Sequence, residues 1–432
     1  MLRIIGDIKT NNDFHVGDKM NKIIVLPGNA DGVFFNNELN YLVKYFDKVI
    51  VVSYPYRKEV NRLATQEKII LYEVKPKLFK TILKGRFFNW LFDADTIKEI
   101  RNEFSFSKQG FKKLMYIFYY GLFYCEAKQY IDKEVLSNQE DNIFLYSFWL
   151  TRGAYTIANY KKNDRANIRK LISRAHGYDL YIERNSMNYL PFRGFINNNL
   201  DAIYFISGDG LNYFNKNYKC DRLCSKKYIS RLGTFNPDSI QKEIYKKNKI
   251  CIASCSSIIS VKRLDLIIDV VSNIDIDVKW IHIGEGNQKE AIEEYANNRL
   301  KDKTFQFLGQ IDNSKILETY LEYDVDFLIN MSDSEGIPVS IMEAMSIGIP
   351  IIARDVGGVR EIVNENTGLL IRDISNMESV FRQVNNEARQ RLMDIEVYKN
   401  KQKECINLWN AKYNADKNYD DFFKELISGE IT

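Results

Sequence analysis

Two glutamates in the second half of the chain are spaced to bind one polar ligand together. Glu335 lies in a polar, glycine-containing loop, and Glu343 follows eight positions later, inside a predicted short helix. Pro338 suits the start of that helix, because its ring fixes φ and its missing N–H would have no partner there. The amides of Val339 and Ser340 would then lack helical acceptors, which suits a phosphate. Two carboxylates beside a phosphate site predict a ligand with both hydroxyls and phosphates, such as a nucleotide sugar.

The surrounding sequence predicts a strand–helix–strand unit that places these groups at the edge of a parallel sheet. Residues 325–329 form an apolar, β-branched run typical of a buried parallel strand. A short apolar helix is predicted over 339–347, Gly348 is expected to end it in a left-handed conformation, and 349–352 begin the next strand. Open α/β sheets bind ligands at the carboxyl ends of their strands. The loop that carries Glu335 is predicted to lie there.

A second motif follows this unit. Glu335-x7-Glu343 lies within SEGIPVSIMEAMSIGIPII and is followed by Gly357-Gly358-x2-Glu361. The combined string resembles the signature of retaining glycosyltransferases of family 4. The resemblance implies the GT-B fold, an α/β architecture in which two Rossmann-like domains face each other across a cleft. It further implies transfer of a hexose, with retention, from a nucleotide-diphosphate sugar to a glycan or lipid-linked acceptor in cell-surface polysaccharide biosynthesis.

The resemblance also implies roles for individual residues. Glu343 would bind the ribose hydroxyls of the donor, and Glu335 would bind the sugar hydroxyls together with the Gly336 amide. His176, in RAHGYDLY at the end of a predicted strand, would face the transferring sugar and the acceptor. Gly284, directly after another predicted strand, would let the backbone approach the base of the nucleotide.

Charge on the departing diphosphate would be stabilised by Lys262 and by the amides of Val339 and Ser340, with no metal and no other cofactor. Family members typically carry an arginine five positions before this lysine, where the chain has Ser257. Arg263 would supply the missing cation, or the donor would be held more weakly. Lys262 and Arg263 are predicted to begin a helix.

The chain is predicted to divide into two α/β domains with flanking segments. The predicted parts are a loose extension (1–20), a first, acceptor-side domain (21–234), a second, nucleotide-sugar-binding domain (235–406) and a helix that crosses back to the first domain (407–432). Gly32, in a turn after the first strand, would let the backbone approach a phosphate or acceptor, or would serve as a simple turn.

Length and composition agree with this division. The 432 residues suffice for two sizeable cores, and a net charge of +4 is too small to argue for nucleic acid. The six cysteines, without a secretory signal, favour reduced thiols in a cytoplasm. Asp324-Val325-Asp326 mimics a metal-binding pair, but it precedes its strand and is predicted to be structural.

A basic segment with interleaved aromatic residues lies in the first domain. KPKLFKTILKGRFFNWLF (75–92) carries five cations and no acid, and 112–120 is similar. Such segments are typical of contact with an anionic membrane surface, so 75–120 is predicted to touch the inner membrane face. An ordinary core helix with a solvated basic face is the alternative.

Three other functions remain open. Because Ser257 stands where the family typically has arginine, one alternative is a non-catalytic GT-B protein that binds a nucleotide sugar. A UDP-HexNAc 2-epimerase-like enzyme would share the fold. A nicotinamide oxidoreductase is disfavoured because no G-x-G-x-x-G motif is present.

Overall fold

The computed structural model describes residues 19–28, 33–54, 67–75, 85–137, 139–160, 167–218, 224–236 and 239–429. Thirteen strands lie in this part of the chain: β1 (Asn21–Leu26), β2 (Lys48–Ser53), β3 (Ile69–Glu73), β4 (Asn142–Ser147), β5 (Ile168–Ala175), β6 (Ala202–Phe205), β7 (Lys226–Ile229), β8 (Ile250–Cys255), β9 (Val278–Ile283), β10 (Thr304–Gly309), β11 (Phe327–Asn330), β12 (Ile351–Arg354) and β13 (Gly368–Ile371).

The α-helices of the described residues are α1 (Val33–Tyr45), α2 (Arg86–Leu91), α3 (Ala94–Glu103), α4 (Lys108–Ser137), α5 (Arg152–Ala158), α6 (Arg193–Asn199), α7 (Gly208–Asn217), α8 (Leu264–Ser272), α9 (Lys289–Arg299), α10 (Ile316–Glu322), α11 (Val339–Ser346), α12 (Met377–Met393), α13 (Ile395–Lys412) and α14 (Ala415–Ser428). Short 3₁₀ turns include Ser260–Lys262 and Gly357–Glu361.

The strands form two parallel sheets, one in each domain. The first has seven strands in the order β3-β2-β1-β4-β5-β6-β7, and the second has six in the order β10-β9-β8-β11-β12-β13. Their central strands are buried apolar runs, as expected where helices cover both faces of a sheet. In each sheet the chain first builds strands outward in one direction and then returns to build in the other. The direction changes between β1 and β4 in the first sheet, and between β8 and β11 in the second.

These two switch points determine where ligands can bind. Crossover connections leave in opposite directions there, so a crevice opens at the carboxyl ends of the two central strands. In the first sheet this edge carries the residues just after β1 and β4. In the second sheet it carries the turn after β8 and the loop after β11, which contain Lys262 and Glu335.

The chain crosses between the domains twice, side by side. Thr234 and Asn414 form a parallel bridge, and the Trp409 indole donates a hydrogen bond to the Thr234 hydroxyl at 2.9 Å. α13 packs in the second domain, whereas α14 packs on α1, with Tyr419 beside Tyr41. The return crossing therefore lies at 413–414, somewhat beyond the predicted boundary at residue 407.

The two aspartates of the DxD-like string are structural, as predicted. Asp326 is fully buried and accepts hydrogen bonds from the Arg391 guanidinium (2.9 Å) and the Cys251 amide (2.8 Å). Lys247 pairs with both aspartates, at 2.6 and 2.7 Å. Over the described ranges, no group of three or more His, Cys, Asp or Glu side chains could hold a metal ion.

Several details of the sequence prediction need correction. Lys262 and Arg263 do not begin a helix: Lys262 ends a 3₁₀ turn, Arg263 is left-handed at φ 50°, and α8 starts at Leu264. Cations oppose the helix dipole at that end, which favours this arrangement. The strand predicted over 325–329 is β11, shifted towards the carboxyl end.

Two further predictions concern residues outside the described ranges. These residues are Gly32 and positions 76–84 of the basic segment. Cys125, Cys251, Cys255 and Cys405 are free thiols, but Cys224 is disulfide-bonded, contrary to the expectation of reduced thiols throughout. None of the helices in the described part of the chain is both long enough and apolar enough to cross a membrane.

Candidate functional site

The turn after β8 and the loop after β11 are joined at the switch point of the second sheet. The Asp333 amide donates to the Val261 carbonyl at 2.8 Å, and the Lys262 ammonium donates to Glu335 Oε1 at 2.7 Å. Asn330 lies 3.4 Å from the same oxygen. The structure thus brings together two of the predicted site residues, a cation and a carboxylate.

Gly357 and Gly358 allow this loop to pack closely. A Cβ atom on Gly357 would lie 2.0 Å from the Glu335 carbonyl oxygen, and one on Gly358 would lie 2.6 Å from the Gly336 carbonyl oxygen. Gly357 also has φ 51°, where side chains are strained. The glycine pair of the second motif therefore positions the Glu335 loop through backbone contact.

Glu343 lies on α11 in a desolvated position. Burial raises the pKa of its carboxyl to about 7. Its negative charge contributes to the raised pKa values of Cys255 and Tyr320, which places it beside them. No described side chain pairs with it. Burying a carboxylate without a cation costs folding free energy. Carboxylates in such positions are typical of ligand-binding sites.

The amino end of α11 begins as predicted. Pro338 precedes the helix and supplies no side-chain cap. The first amides of any α-helix have no partner within the helix, so those of Val339 and Ser340 are available to an anion. The end of the helix also agrees with the prediction, since Gly348 is left-handed at φ 82°.

Arg263 does not share the carboxylate partner of Lys262. Its guanidinium pairs with Asp265 at 2.8 Å and with Asp333 at 3.4 Å. Ser257, where the family typically has arginine, is exposed in the preceding turn. Lys262 is therefore the cation that contacts Glu335. Arg263 pairs with two aspartates, one of which, Asp333, also pairs with Arg354.

A close backbone contact within the protein requires glycine at position 284. Gly284 adopts φ 141°, and a Cβ atom there would lie 1.9 Å from the Ser256 carbonyl oxygen. The Ser256 amide in turn donates to the Ile283 carbonyl at 3.0 Å. Gly284 lets two loops at the ligand edge pack together, and a contact with the donor stays a prediction.

His176 immediately follows β5 at the same edge of the first sheet. Its ring packs against Phe148 and Trp149, with centroid separations of 4.9 and 4.2 Å. Burial lowers the pKa of His176, so the imidazole is neutral at pH 7. Neither ring nitrogen has a hydrogen-bond partner among the described residues, since Nδ1 is 3.8 Å from Asp179. A neutral imidazole of this kind can donate to or accept from a ligand hydroxyl.

Trp149 was missed by sequence reasoning. It follows β4, and a Cβ atom on Gly28, just after β1, would lie 3.4 Å from its ring. A large aromatic residue directly after a predicted strand was the available signal. Trp149 and His176 together line the switch point of the first sheet.

Glu361 of the second motif links the two domains. Its carboxylate accepts hydrogen bonds from the Gly208 and Asp209 amides of the first domain, at 3.1 and 2.8 Å. Arg231 donates to it at 3.0 Å. The motif predicted no such contact. Nearby, Ile206 of the first domain lies 3.9 Å from the Cβ position of Gly336. The Glu335 loop therefore borders the first domain.

We expect Glu361→Gln to lower the free energy of unfolding by about 1–3 kcal/mol, because the two amides and Arg231 lose charge-assisted hydrogen bonds. Chemical denaturation with X-ray scattering checks this, since a looser interface also increases the radius of gyration. Exposed Glu365→Gln is the matched control. Equal behaviour of the two variants would contradict the linking role.

A cavity of about 530 Å³ adjoins this site without containing it. It is lined by Arg263, Asp333 and neighbours from 258–265, with Gln288 and Ile292. Lys262, Glu335 and Glu343 are not among its walls. The contacts above identify the site better than cavity size does.

Comparison with known proteins gives matches to the second domain and to the fold. Residues 236–402 match the sequence model of the family described as glycosyl transferases group 1. The O-antigen biosynthesis glycosyltransferase WbnH of Escherichia coli is 35% identical over 112 residues, covering 26% of this chain and 30% of WbnH. The uncharacterized glycosyltransferase MJ1178 of Methanocaldococcus jannaschii is 25% identical over 217 residues, covering 49% of this chain and 58% of MJ1178. The chain thus spans less than two thirds of these relatives.

Two solved structures resemble the whole chain. Anabaena HepE in complex with UDP and glucose has a TM-score of 0.61 at 14% identity, covering 95% of this chain and all of HepE. The apo lipopolysaccharide outer core galactosyltransferase WaaB has a TM-score of 0.65 at 12% identity over the same shares. At such identity the likeness concerns the fold alone. The chain has the GT-B fold, and residues 236–402 within it are similar to the glycosyl transferases group 1 family.

Proposed function

We propose that the protein is a retaining glycosyltransferase that moves a hexose from a nucleotide-diphosphate sugar to a glycan or lipid-linked acceptor. The observation that carries this proposal is the Lys262–Glu335 pair at the switch point, beside the uncapped start of α11. A cation and free amides suit a diphosphate, and a carboxylate suits sugar hydroxyls. Polysaccharide biosynthesis is the process that the named relative WbnH supports.

In this mechanism the second domain holds the donor. Glu343 accepts hydrogen bonds from the ribose hydroxyls, and Glu335 with the Gly336 amide binds the sugar. Lys262 and the amides of Val339 and Ser340 surround the diphosphate. Charge grows on the leaving phosphate as the bond to the anomeric carbon breaks, and preorganised donors there lower the barrier without reorganising.

The acceptor hydroxyl attacks from the side of the first domain. Its oxygen forms the new bond to the anomeric carbon, and its proton passes to an oxygen of the departing diphosphate. His176 is neutral, and its ring nitrogens accept or donate no hydrogen bond within the described part of the chain, so it would orient the sugar or the acceptor by a hydrogen bond. A covalent glycosyl-enzyme adduct, trapped with a slow donor, would contradict this route.

The test uses UDP, GDP and ADP sugars with the full chain. One nucleoside diphosphate should raise the melting temperature, since a hundredfold excess over Kd stabilises by about 2.7 kcal/mol. The corresponding sugar should release that diphosphate on turnover with acceptor. Absence of stabilisation by all three nucleotides would overturn the proposal.

A non-catalytic nucleotide-sugar-binding protein is the second candidate. It is favoured by Ser257, which leaves Lys262 as the cation on Glu335. Calorimetric binding of a nucleotide sugar, without diphosphate release for any acceptor class, would support this candidate over the enzyme.

We further propose peripheral membrane contact through α4. One of its faces exposes Lys108, Phe111, Lys112, Met115 and Tyr119, which we call the α4 stripe. Met115 is 66% exposed, and neither lysine forms an ion pair with a described residue. Exposed apolar side chains flanked by cations are typical of a membrane-surface element.

We expect the double change Lys108→Gln and Lys112→Gln to lower binding to anionic liposomes roughly 30-fold, at about 1 kcal/mol for each cation. Cosedimentation with vesicles that contain phosphatidylglycerol measures this. Lys399→Gln with Lys403→Gln, equally spaced and exposed on α13, is the matched control. Unchanged cosedimentation of the α4 variant would contradict membrane contact at this surface.

A further inference from the structure

A buried aspartate joins the two loops that carry Trp149 and His176. Asp179 Oδ1 accepts a hydrogen bond from the His176 amide at 2.8 Å, and Oδ2 accepts one from the Leu150 amide at 2.6 Å. Leu150 directly follows Trp149 in the loop after β4, and His176 directly follows β5, the strand that pairs with β4. One carboxylate therefore fixes both loops at the ligand edge of the first sheet.

Arg193 supports the same arrangement from α6. Its buried guanidinium donates hydrogen bonds to the Leu150 carbonyl and to the Asp179 carbonyl, one in each loop. Burial acts to raise the pKa of the Asp179 carboxyl, but the contacts with His176 and the charge of Arg193 outweigh it. The pKa is lowered overall, so the carboxylate is charged at pH 7.

The negative charge of Asp179 determines which ring nitrogen of His176 carries the proton. Nδ1 lies 3.8 Å from Asp179 Oδ2, which is too far for a hydrogen bond but close enough for the charge to favour an N–H group at that position. The neutral tautomer with its proton on Nδ1 is therefore the stable one, and Nε2 carries the lone pair. Nε2 is buried and has no hydrogen-bond partner within the described ranges. Such a nitrogen costs folding free energy unless a ligand O–H pairs with it.

Trp149 gives the same place an apolar surface. Its ring packs against the imidazole with a centroid separation of 4.2 Å and is only half-buried. An aromatic surface beside a hydrogen-bond acceptor suits a pyranose ring, which has C–H faces and a rim of hydroxyls. Because the donor groups Lys262 and Glu335 belong to the second domain, the sugar suited to this surface of the first domain is the acceptor.

We propose that Asp179 is a positioning residue: it holds the Trp149 and His176 loops together and keeps the His176 proton on Nδ1. Nε2 then accepts a hydrogen bond from a non-reacting hydroxyl of a sugar acceptor, while the proton of the reacting hydroxyl still passes to the departing diphosphate. This inference rests on the proposed glycosyl transfer and adds to it a residue that acts through His176 without touching the substrate.

Nitrogen NMR of the full chain, with isotope-labelled histidine, tests the tautomer without any substrate. For His176 we expect a protonated Nδ1 and an unprotonated Nε2, and the signals are identified by their loss in His176→Gln. Asp179→Asn should shift the population towards the tautomer with its proton on Nε2, because the side chain no longer offers a negative charge. Asp201→Asn is the matched control: Asp201 accepts from the Leu171 amide at 2.8 Å, at the opposite edge of the same sheet, and its loss should leave the tautomer unchanged.

Turnover separates positioning from general stability. Diphosphate release is measured with UDP, GDP and ADP sugars, and the methyl glycosides of glucose, galactose, mannose and N-acetylglucosamine serve as acceptor probes. We expect Asp179→Asn to lower kcat about 10- to 100-fold while the KM of the donor stays the same. His176→Gln, whose amide oxygen can take the place of Nε2, should keep more activity than His176→Leu. In the His176→Gln background, Asp179→Asn should lower kcat little further, because its effect passes through the imidazole.

Three outcomes would overturn the inference. One is a wild-type His176 that carries its proton on Nε2, a result that needs no variant to fold. Another is a loss of kcat from Asp179→Asn that is as large in the His176→Gln background as in wild type, which indicates a structural role alone. The third is His176→Leu that turns over as fast as wild type. Absence of diphosphate release by wild type with every probe counts against the proposed function, whereas the NMR result decides the action of Asp179 by itself.

Discussion

Lys262→Gln is expected to lower kcat/KM for donor turnover by about 10²- to 10³-fold, the usual cost of losing one preorganised charge donor at a departing group. Lys262 lies at the switch point and donates to Glu335 at 2.7 Å. Its removal takes positive charge from the diphosphate position and leaves a buried carboxylate without its cation, so binding and turnover both suffer. Diphosphate release from the sugar donor, measured over a range of donor concentrations, separates kcat from KM.

Arg263→Gln is the matched control, because the neighbouring cation already pairs with Asp265 and Asp333. We expect it to change kcat/KM less than tenfold. Lys262→Arg should recover part of the activity by restoring the charge. If Arg263→Gln proves the more damaging change, the assignment of the two cations must be exchanged, and Arg263 substitutes for the missing arginine after all.

Much of the second domain could be predicted because its local signals agree with one another. Pro338 at the start and Gly348 at the end bound α11 as expected, since each residue has a conformational reason to stand there. The structural role of Asp326 followed from its place at the wrong end of a strand. Such inferences depend on neighbours in sequence, which the chain itself displays.

Contacts between distant segments could not be predicted in the same way. Glu361 was visible in a motif, but its partners are amides of α7, more than a hundred residues earlier. Gly284 was predicted to let the backbone approach the nucleotide, and Gly357 was part of a motif with no assigned role. Each is required to be glycine by a neighbouring carbonyl of the protein itself. Spacing reveals that a residue type is needed, whereas only the fold reveals what it touches.

The turn at Lys262 shows the same limit on a smaller scale. The pattern indicated a helix start, and the structure has a 3₁₀ turn with Arg263 left-handed before α8 begins. Arg263 pairs with two aspartates: Asp265 is two residues away in the sequence, and Asp333 lies on another loop. A prediction from local sequence cannot include the contact with Asp333, so it places the start of α8 too early.

Glu343→Gln is expected to weaken binding of the preferred nucleoside diphosphate about 10- to 100-fold, since hydrogen bonds to a charged acceptor contribute about 1.5–3 kcal/mol. Thermal shift and calorimetry with the same nucleotide measure this. Exposed Glu365→Gln in the same domain is the control. A variant that keeps the full shift would show that the ribose lies elsewhere.

The stability of the Glu343→Gln variant provides an independent test through its pH dependence. Burial raises the pKa of this carboxyl from 4.5 to about 7 in the folded protein, so the folded state holds the proton more tightly than the unfolded chain. The group therefore contributes stability below pH 4.5 that is lost as pH rises towards 7, amounting to about 3 kcal/mol at most. Glu343→Gln removes this loss, so we expect it to unfold at higher denaturant than wild type at pH 8 and to match it near pH 4.5. A substitution that stabilises the free protein while weakening nucleotide binding identifies a carboxylate that is desolvated in order to bind its ligand. If Glu343 were a structural residue instead, Glu343→Gln would lower the free energy of unfolding.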